Sequence, residues 1–331
     1  KSGAEVALGA ERALASGFER DRVFQVTDAA GKYVTPRDAI GASALHPTAA
    51  SLFHVRCELR LGDAPQATLS SAAGRAPPPL VVDVRETAAR PAVAKVLGEK
   101  RPDDNRVELL DFGDEAAAWL QGATGIQGCR LQGIGPRYKR VVVANPDQGA
   151  APASDDCPVS LADEAPYLLA SAASLRDFRR RLLRAGRARE WLRVDMRRFR
   201  PNIVVEGALP WEEDTWKRIR IGRVEFHVWQ RCGRCLMTTF DRDSLRRDDA
   251  LKVLRGLRER PSEQGPGCGC AQSNFGMHLI PAAGFPAEIS VGDELEVLER
   301  DPEREREWLQ QHGPVWQLGL RYALGVPSRL F

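Results

Sequence analysis

At 331 residues the chain has room for about two domains, and its 43% hydrophobic content is enough for a sizeable core. A formal net charge of +3 is too small to point to nucleic acid, and no apolar run approaches the roughly 18 residues of a membrane span. The seven cysteines are odd in number and lack framework spacing, which excludes a disulfide scaffold and favours a reducing, cytoplasmic setting.

In chain order, RVFQVTDAAGKYVTPR (22 to 37) reads as strand, glycine-containing turn and strand. SLFHVRCELRL and LVVDVRE give two more strands, with Cys57 as a packed core thiol in the first. The Ala/Pro/Ser-rich GDAPQATLSSAAGRAPPP between them reads as an exposed insertion. DEAAAWLQGATG (114 to 125), acidic at its start and glycine-bearing at its end, is a short helix, and CRLQGI and YKRVVVA add strand material. The stretch from 145 to 158 is a loop or boundary. SLRDFRRRLLRAG (174 to 186) is a helix with Ser174 as its cap and Gly186 as its stop. NIVVEG and RVEFHVWQ are strands, residues 248 to 260 a helix, and ISVGDELEVLER a turn and strand. A charged tail from Asp301 ends in the apolar helix VWQLGLRYALGV. No signal peptide precedes the first domain, and the start at Lys1 leaves room for an upstream targeting or anchor segment.

Two cysteine pairs stand out. Cys232 and Cys235 in RCGRC, with Cys268 and Cys270, supply four thiolates of the kind structural zinc sites use. A redox dithiol, a single metal-binding thiolate and two ordinary buried thiols also fit the spacing. Arg200 and Asn202 flank a proline in RFRPN, which presents both at the start of a strand, where the arginine fork suits a phosphate or carboxylate. WEEDTW (211 to 216) reads as a surface turn held by tryptophan packing. Residues 176 to 200 carry 11 arginines in 25 positions: a solvated face, or a docking surface for an acidic partner.

Taken in order, RFRPNIVV, EEDTW, IRIG, CGRC and TTFD resemble the MOSC domain, named for the C-terminal domain of molybdenum cofactor sulfurase. GFERDRVFQVTDAAGKYVTPR and the DEAAAWL helix resemble the β-barrel that accompanies it. Within the superfamily the resemblance is to amidoxime-reducing components, over about residues 1 to 300. It implies an α+β, β-dominated fold: a MOSC-type β-barrel with flanking helices, packed on an N-terminal β-barrel domain. The implied division is 1–145 for the N-terminal barrel, 146–300 for the MOSC domain and 301–331 for a C-terminal helical tail.

The resemblance also implies the molybdenum cofactor (Mo-molybdopterin), in the cleft between the two domains. Cys235, the second cysteine of the motif, is the implied metal ligand, and a thiolate is a soft donor suited to that metal. Lys1 and Ser2 match residues that hold the pterin phosphate, and Arg37, Asp163, Arg200, Asn202, Gly233 and Arg234 match the other cofactor contacts. His278 falls where a neighbouring segment closes the pocket. Arg234 is expected to lower the thiol pKa of Cys235, and Asp163 to assist in proton handling. The implied reaction is two-electron reduction of N-hydroxylated compounds (amidoximes, hydroxylamines and, as a further candidate, nitrite). The sequence carries no haem, dinucleotide or ferredoxin motif, so an external donor is expected, and the resemblance implies cytochrome b5 with NADH-cytochrome b5 reductase. The alternatives are a carrier or sulfuration-type MOSC protein and a zinc-stabilised binding module.

Overall fold

The structure is a computed structural model that describes residues 10–40, 44–74, 76–95, 106–142, 157–258, 273–312 and 328–330. Lys1, Ser2, Cys268, Cys270 and the apolar tail segment 315–326 lie outside the described residues. The described part begins with β1 (Ala10–Leu14), β2 (Gly17–Phe18) and β3 (Phe24–Thr27). After short 3-10 segments at Pro36–Ala39 and Ala49–His54 come β4 (Val55–Arg60), β5 (Gln66–Ser71), β6 (Leu80–Asp83), β7 (Arg90–Lys95), β8 (Arg106–Asp111), α1 (Gly113–Thr124) and β9 (Arg130–Ile134). Strands β3, β9, β8 and β7 form one four-stranded sheet, and β4, β5 and β6 a three-stranded one.

Helix α1 supplies the apolar filling for these sheets. Its Trp119, Leu120 and Ala123 pack with Leu52, Val55, Leu69, Val82, Leu110 and Leu131. Asp114 and Glu115 occupy its first turn, where they complement the helix dipole. Gly125 ends it in the left-handed region, its N–H donating to the Gln121 carbonyl at 2.7 Å.

The second half contains β10 (Tyr167–Ser171), α2 (Ala172–Arg184), α3 (Ala188–Arg193), β11 (Ile203–Glu206), β12 (Trp216–Ile221), β13 (Val224–Gly233) and α4 (Ala250–Arg258). Then follow β14 (Asn274–Ala283), β15 (Ala287–Ser290), β16 (Glu294–Arg300), α5 (Pro302–His312) and β17 (Ser328–Leu330). A closed barrel runs β10-β11-β17-β16-β12-β13-β14. Its interior is filled by alternate residues of these strands, among them Tyr167, Leu169, Ile219, Ile221, Phe226, Val228 and Leu279. Phe178, Leu182, Phe199, Trp211, Leu254, Phe275 and Trp308 form a second core that seats the helices on the barrel. The fold is therefore α+β and β-dominated, with a barrel at its centre. No helix among the described residues is long and apolar enough to cross a membrane.

Gly276 shows how tightly β14 lies against β10. Its φ is +81°, and a Cβ there would sit 2.5 Å from the Leu169 carbonyl oxygen. Gly276→Ala should lower unfolding free energy by at least ~2 kcal/mol, from backbone strain and the clash together. Chemical denaturation checks this, and an unchanged midpoint would contradict the packing described.

Several readings of the sequence need correction. The stretch between 62 and 79 is not merely an exposed insertion, because Gln66–Ser71 is the central strand of the three-stranded sheet, with Ala67 and Leu69 buried. Within YKRVVVA the described residues make only an isolated bridge, Val141 to Pro158. The cap of α2 is Ser171, whose side chain accepts from the Ala173 N–H. Ser174 is buried and donates to Glu213 at 2.8 Å. WEEDTW is not a surface turn: Trp211, Glu212, Glu213, Asp214, Thr215 and Trp216 are all buried. Its carboxylates have cationic or hydroxyl partners: Ser174 on Glu213, Arg300 on Glu212 at 2.6 Å, and Arg231 beside Asp214 at 3.3 Å.

Candidate functional site

The two halves meet where the Pro36–Ala39 turn packs against Leu236–Thr239, the 3-10 turn that follows Cys235. Phe53 from the N-terminal half stacks obliquely on Phe240 at 5.7 Å between ring centroids, and the half-buried Cys235 packs against this cluster. The His54 Nε2 lies 2.9 Å from the Arg242 carbonyl oxygen. Cys235 is the cap residue of its turn, and its carbonyl accepts from both the N–H and the hydroxyl of Thr238.

Around this seam gather the arginines. Thr35 and Asp38 cap each other reciprocally, a capping box that fixes the turn carrying Arg37. Arg37 donates from Nη2 to the Tyr33 hydroxyl at 2.8 Å, with the same nitrogen 3.7 Å from the Asp163 carboxylate. Burial opposes the charge on Arg37, but Tyr33, Asp163 and Cys235 outweigh it and raise its pKa. Burial, reinforced by Asp163, likewise raises the pKa of Tyr33, whose phenol stays protonated. Asp163 is presented by a loop that Arg140 clamps: this guanidinium donates to the carbonyls of Ser160 at 3.0 Å, of Ala162, and of Asp163 at 2.9 Å.

Arg200 and Arg22 both adopt left-handed backbone, with φ of 53° each, which is uncommon for side chains of this kind. They are tied together, since Arg22 Nη2 donates to the Arg200 carbonyl at 3.1 Å. Arg22 also pairs with Asp21, which in turn accepts from the Asn202 side-chain amide. Asn202 is held on β10 by two bonds of 2.8 Å, its N–H to the Leu168 carbonyl and its side-chain oxygen from the Leu168 N–H. Among the described residues, the half-buried Arg200 guanidinium donates only to the thioether of Met237, at 4.0 Å. Burial first, and then repulsion from Arg22, pulls its pKa down to about 10. It is still cationic at neutral pH, and an anion placed here would relieve both penalties.

Arg37, Asp163, Arg200 and Cys235 thus form one group at the seam, with Asn202 joined to it through Asp21 and Arg22. Gly233 is exposed at the end of β13, opposite Asn274. Arg234 turns its guanidinium toward Cys232, 2.7 Å from Sγ, rather than toward Cys235, and Arg37 is in electrostatic reach of Cys235. His278 sits with Cys232 and Glu164, its Nε2 3.0 Å from the Glu164 carboxylate. Lys1 and Ser2 fall outside the described residues. Tyr33, Asp21, Arg22 and Arg140 are additions that the sequence reading missed. Asp21 and Arg22 lie inside a quoted motif, so the adjacent acid and base were a usable signal.

The residues present suit an anionic, metal-bearing group. One half-buried thiol supplies a soft donor, and guanidinium forks from separate elements supply oxyanion contacts. Among the described residues no three His, Cys, Asp or Glu side chains are grouped as around a metal ion. The second cysteine pair of a four-thiolate zinc site, Cys268 and Cys270, lies outside them.

Residues 156–296, which carry most of the barrel strands and Cys235, match the MOSC domain family model. The chain resembles the amidoxime-reducing component of this superfamily. It is 33% identical over 184 residues to "Mitochondrial amidoxime-reducing component 1" of Mus musculus, covering 53% of this chain and 49% of that one. It is also 33% identical over 172 residues to "Mitochondrial amidoxime reducing component 2" of Bos taurus, covering 50% and 48%. A third relative, "Molybdenum cofactor sulfurase" of Danio rerio, is 30% identical over 209 residues, 61% of this chain and 22% of that one. The chain spans about half the length of the amidoxime-reducing relatives it matches.

Proposed function

We propose that the protein is a molybdenum-cofactor-dependent reductase of N-hydroxylated compounds such as amidoximes and hydroxylamines. The observation that carries this reading is a half-buried thiol, Cys235, sharing a seam with Arg37 and with an Arg200 guanidinium that lacks an oxygen acceptor among the described residues. On this reading residues 1–145 and 146–300 are two domains and the seam between them is the cofactor cleft. Cys235 would hold the metal, while Arg37, Arg200, Asn202 and, beyond the described residues, Lys1 and Ser2 would hold the pterin and its phosphate. When bound, the cofactor supplies two-electron redox chemistry and a place for the oxygen of the N–OH group.

The chain's own contribution is positioning and charge. Arg37 and Arg200 offer cations that need no reorganisation to meet an anion. Tyr33 and Asp163 sit at Arg37, a phenol that stays protonated beside a carboxylate, which supports a role for Asp163 in proton handling. Incubation of purified protein with benzamidoxime and an electron donor tests the reading: amidine should form in proportion to molybdenum content. The similarity to molybdenum cofactor sulfurase supports a second reading, a cofactor carrier, which predicts bound cofactor without turnover.

Electrons would come from a separate donor, for which we propose a haem protein of the cytochrome b5 type with its NADH-dependent reductase. Much of the arginine-rich segment is used internally. Arg179 donates to the Trp191 carbonyl, Arg181 pairs with Asp177, and Arg198 is buried against Asp248. Arg180, Arg184, Arg189 and Arg193 are exposed and have no ion-pair partner among the described residues, and the exposed Leu183 and Leu192 lie among them. Reversing charge with Arg180→Glu and Arg184→Glu should raise the KM for an acidic donor and flatten its salt dependence, because exposed charges act over about 10 Å at 0.1 M salt. Turnover with a small artificial reductant should be retained. An unchanged KM and salt profile would remove this face from consideration.

A further inference from the structure

Next to the cleft lies a cluster of ionisable groups that the reading above does not use. Cys232 is the next-to-last residue of β13 and His278 belongs to its partner β14; the ladder between these strands is irregular from Val228 to Gly233. Such irregularities re-aim side chains, and here they bring a thiol, an imidazole and a guanidinium together inside the protein. Cys232, Arg234 and His278 are all buried. Arg234 Nη1 donates to Cys232 Sγ at 2.7 Å, and the His278 imidazole lies in electrostatic reach of the same sulfur. The Glu164 carboxylate closes the chain on the outside, 3.0 Å from His278 Nε2 and 3.3 Å from the Gln230 amide nitrogen.

Arg234 is the link to the cleft. It donates from Nη2 to the Phe199 carbonyl at 2.7 Å and from its backbone N–H to the Ser273 carbonyl at 2.9 Å. Its guanidinium also lies over the Phe199 ring, 5.7 Å from the centroid. Phe199 immediately precedes Arg200, and Arg234 immediately precedes Cys235. Among the described residues no carboxylate lies within ion-pair distance of this buried guanidinium. A buried cation needs a counter-charge, and among the described residues the atom placed to give one directly is the Cys232 sulfur.

We propose that Cys232 is an anionic positioning residue: a thiolate matched by the His278 imidazolium, which orients Arg234 and so fixes Arg200 and Cys235 in one arrangement at the cleft. Electrostatics agree with the geometry. Burial opposes ionisation of Cys232, but Arg234 and His278 outweigh it and lower its pKa. Burial also opposes charge on His278, yet Cys232 and then Glu164 push it up to about 10. Cys232 therefore acts behind the metal ligand, by charge, and His278 serves it. This inference rests on the cleft being the cofactor site, but the ion pair itself does not.

Three measurements on the purified full chain test it. The ultraviolet difference spectrum of wild type minus Cys232→Ser at neutral pH should show thiolate absorbance, and the His278 ring should give imidazolium chemical shifts in wild type and neutral ones in the variant. Amide hydrogen exchange at residues 233 to 236 should quicken in Cys232→Ser and His278→Gln, and return toward wild type in Cys232→Asp, which restores the anion without the sulfur. Molybdenum content should fall about 10- to 100-fold in Cys232→Ser, the usual cost of losing a group that supports a metal ligand, and recover in Cys232→Asp. A flat difference spectrum, or unchanged exchange in Cys232→Ser, overturns the proposal. A wild type without molybdenum would instead refute the functional reading, while spectrum and exchange still decide the ion pair.

Discussion

Cys235→Ala should abolish amidoxime reduction and strip the protein of molybdenum while leaving its fold intact. The half-buried side chain of Cys235 belongs to a small cluster with Phe53, Met237 and Phe240, and truncation there removes a single sulfur. Its structural cost should stay within about 1 kcal/mol, as for other substitutions outside a densely packed core. Its functional cost should exceed the roughly 10- to 100-fold in metal affinity that follows loss of a mere outer-shell partner. Loss of activity with full molybdenum content would assign Cys235 to chemistry rather than to binding. Full activity would remove it from the site.

Arg200 should show the opposite signs for stability and for function. Its guanidinium is half-buried, is repelled by Arg22 and, among the described residues, has only a thioether to donate to. In cofactor-free protein it is therefore a net burden, and Arg200→Met should be as stable as wild type or more so. With the cofactor present the same substitution should lose a charged hydrogen bond of roughly 1–3 kcal/mol, or about 5- to 150-fold in occupancy. Arg200→Lys should recover only part of this, because an ammonium cannot supply the planar fork. Denaturation of the cofactor-free forms and cofactor titration separate the two effects. A destabilised Arg200→Met protein with normal occupancy would make Arg200 a structural residue.

What the sequence could reveal depended on whether the determining contacts are local. Helix α1 was legible because its start, body and stop signals lie within twelve residues, and Gly125 takes the left-handed conformation that its position announces. Strand β13 was legible from its apolar alternation. WEEDTW was misread because its acids are met by the Ser174 hydroxyl and by the Arg231 and Arg300 guanidinium groups, none of them near in sequence. Strand β5 was hidden by small and polar residues, since only Ala67 and Leu69 carry its buried face. At the site, motif resemblance named Arg37, Asp163, Arg200 and Cys235, which the fold brings to one seam. It offered no hint that the buried Cys232 shares a charge network with Arg234, His278 and the exposed Glu164, because those partners come from three separate segments.

The central claim is that the seam between the halves binds a molybdenum cofactor through Cys235. Elemental and pterin analysis of protein purified from a molybdenum-replete host tests it most directly, with the Cys235→Ala variant prepared in parallel. The account predicts molybdenum and pterin in equal amounts in the wild type, and neither in the variant. Zinc in place of molybdenum, lost equally on substitution of Cys232 or Cys235, would contradict it.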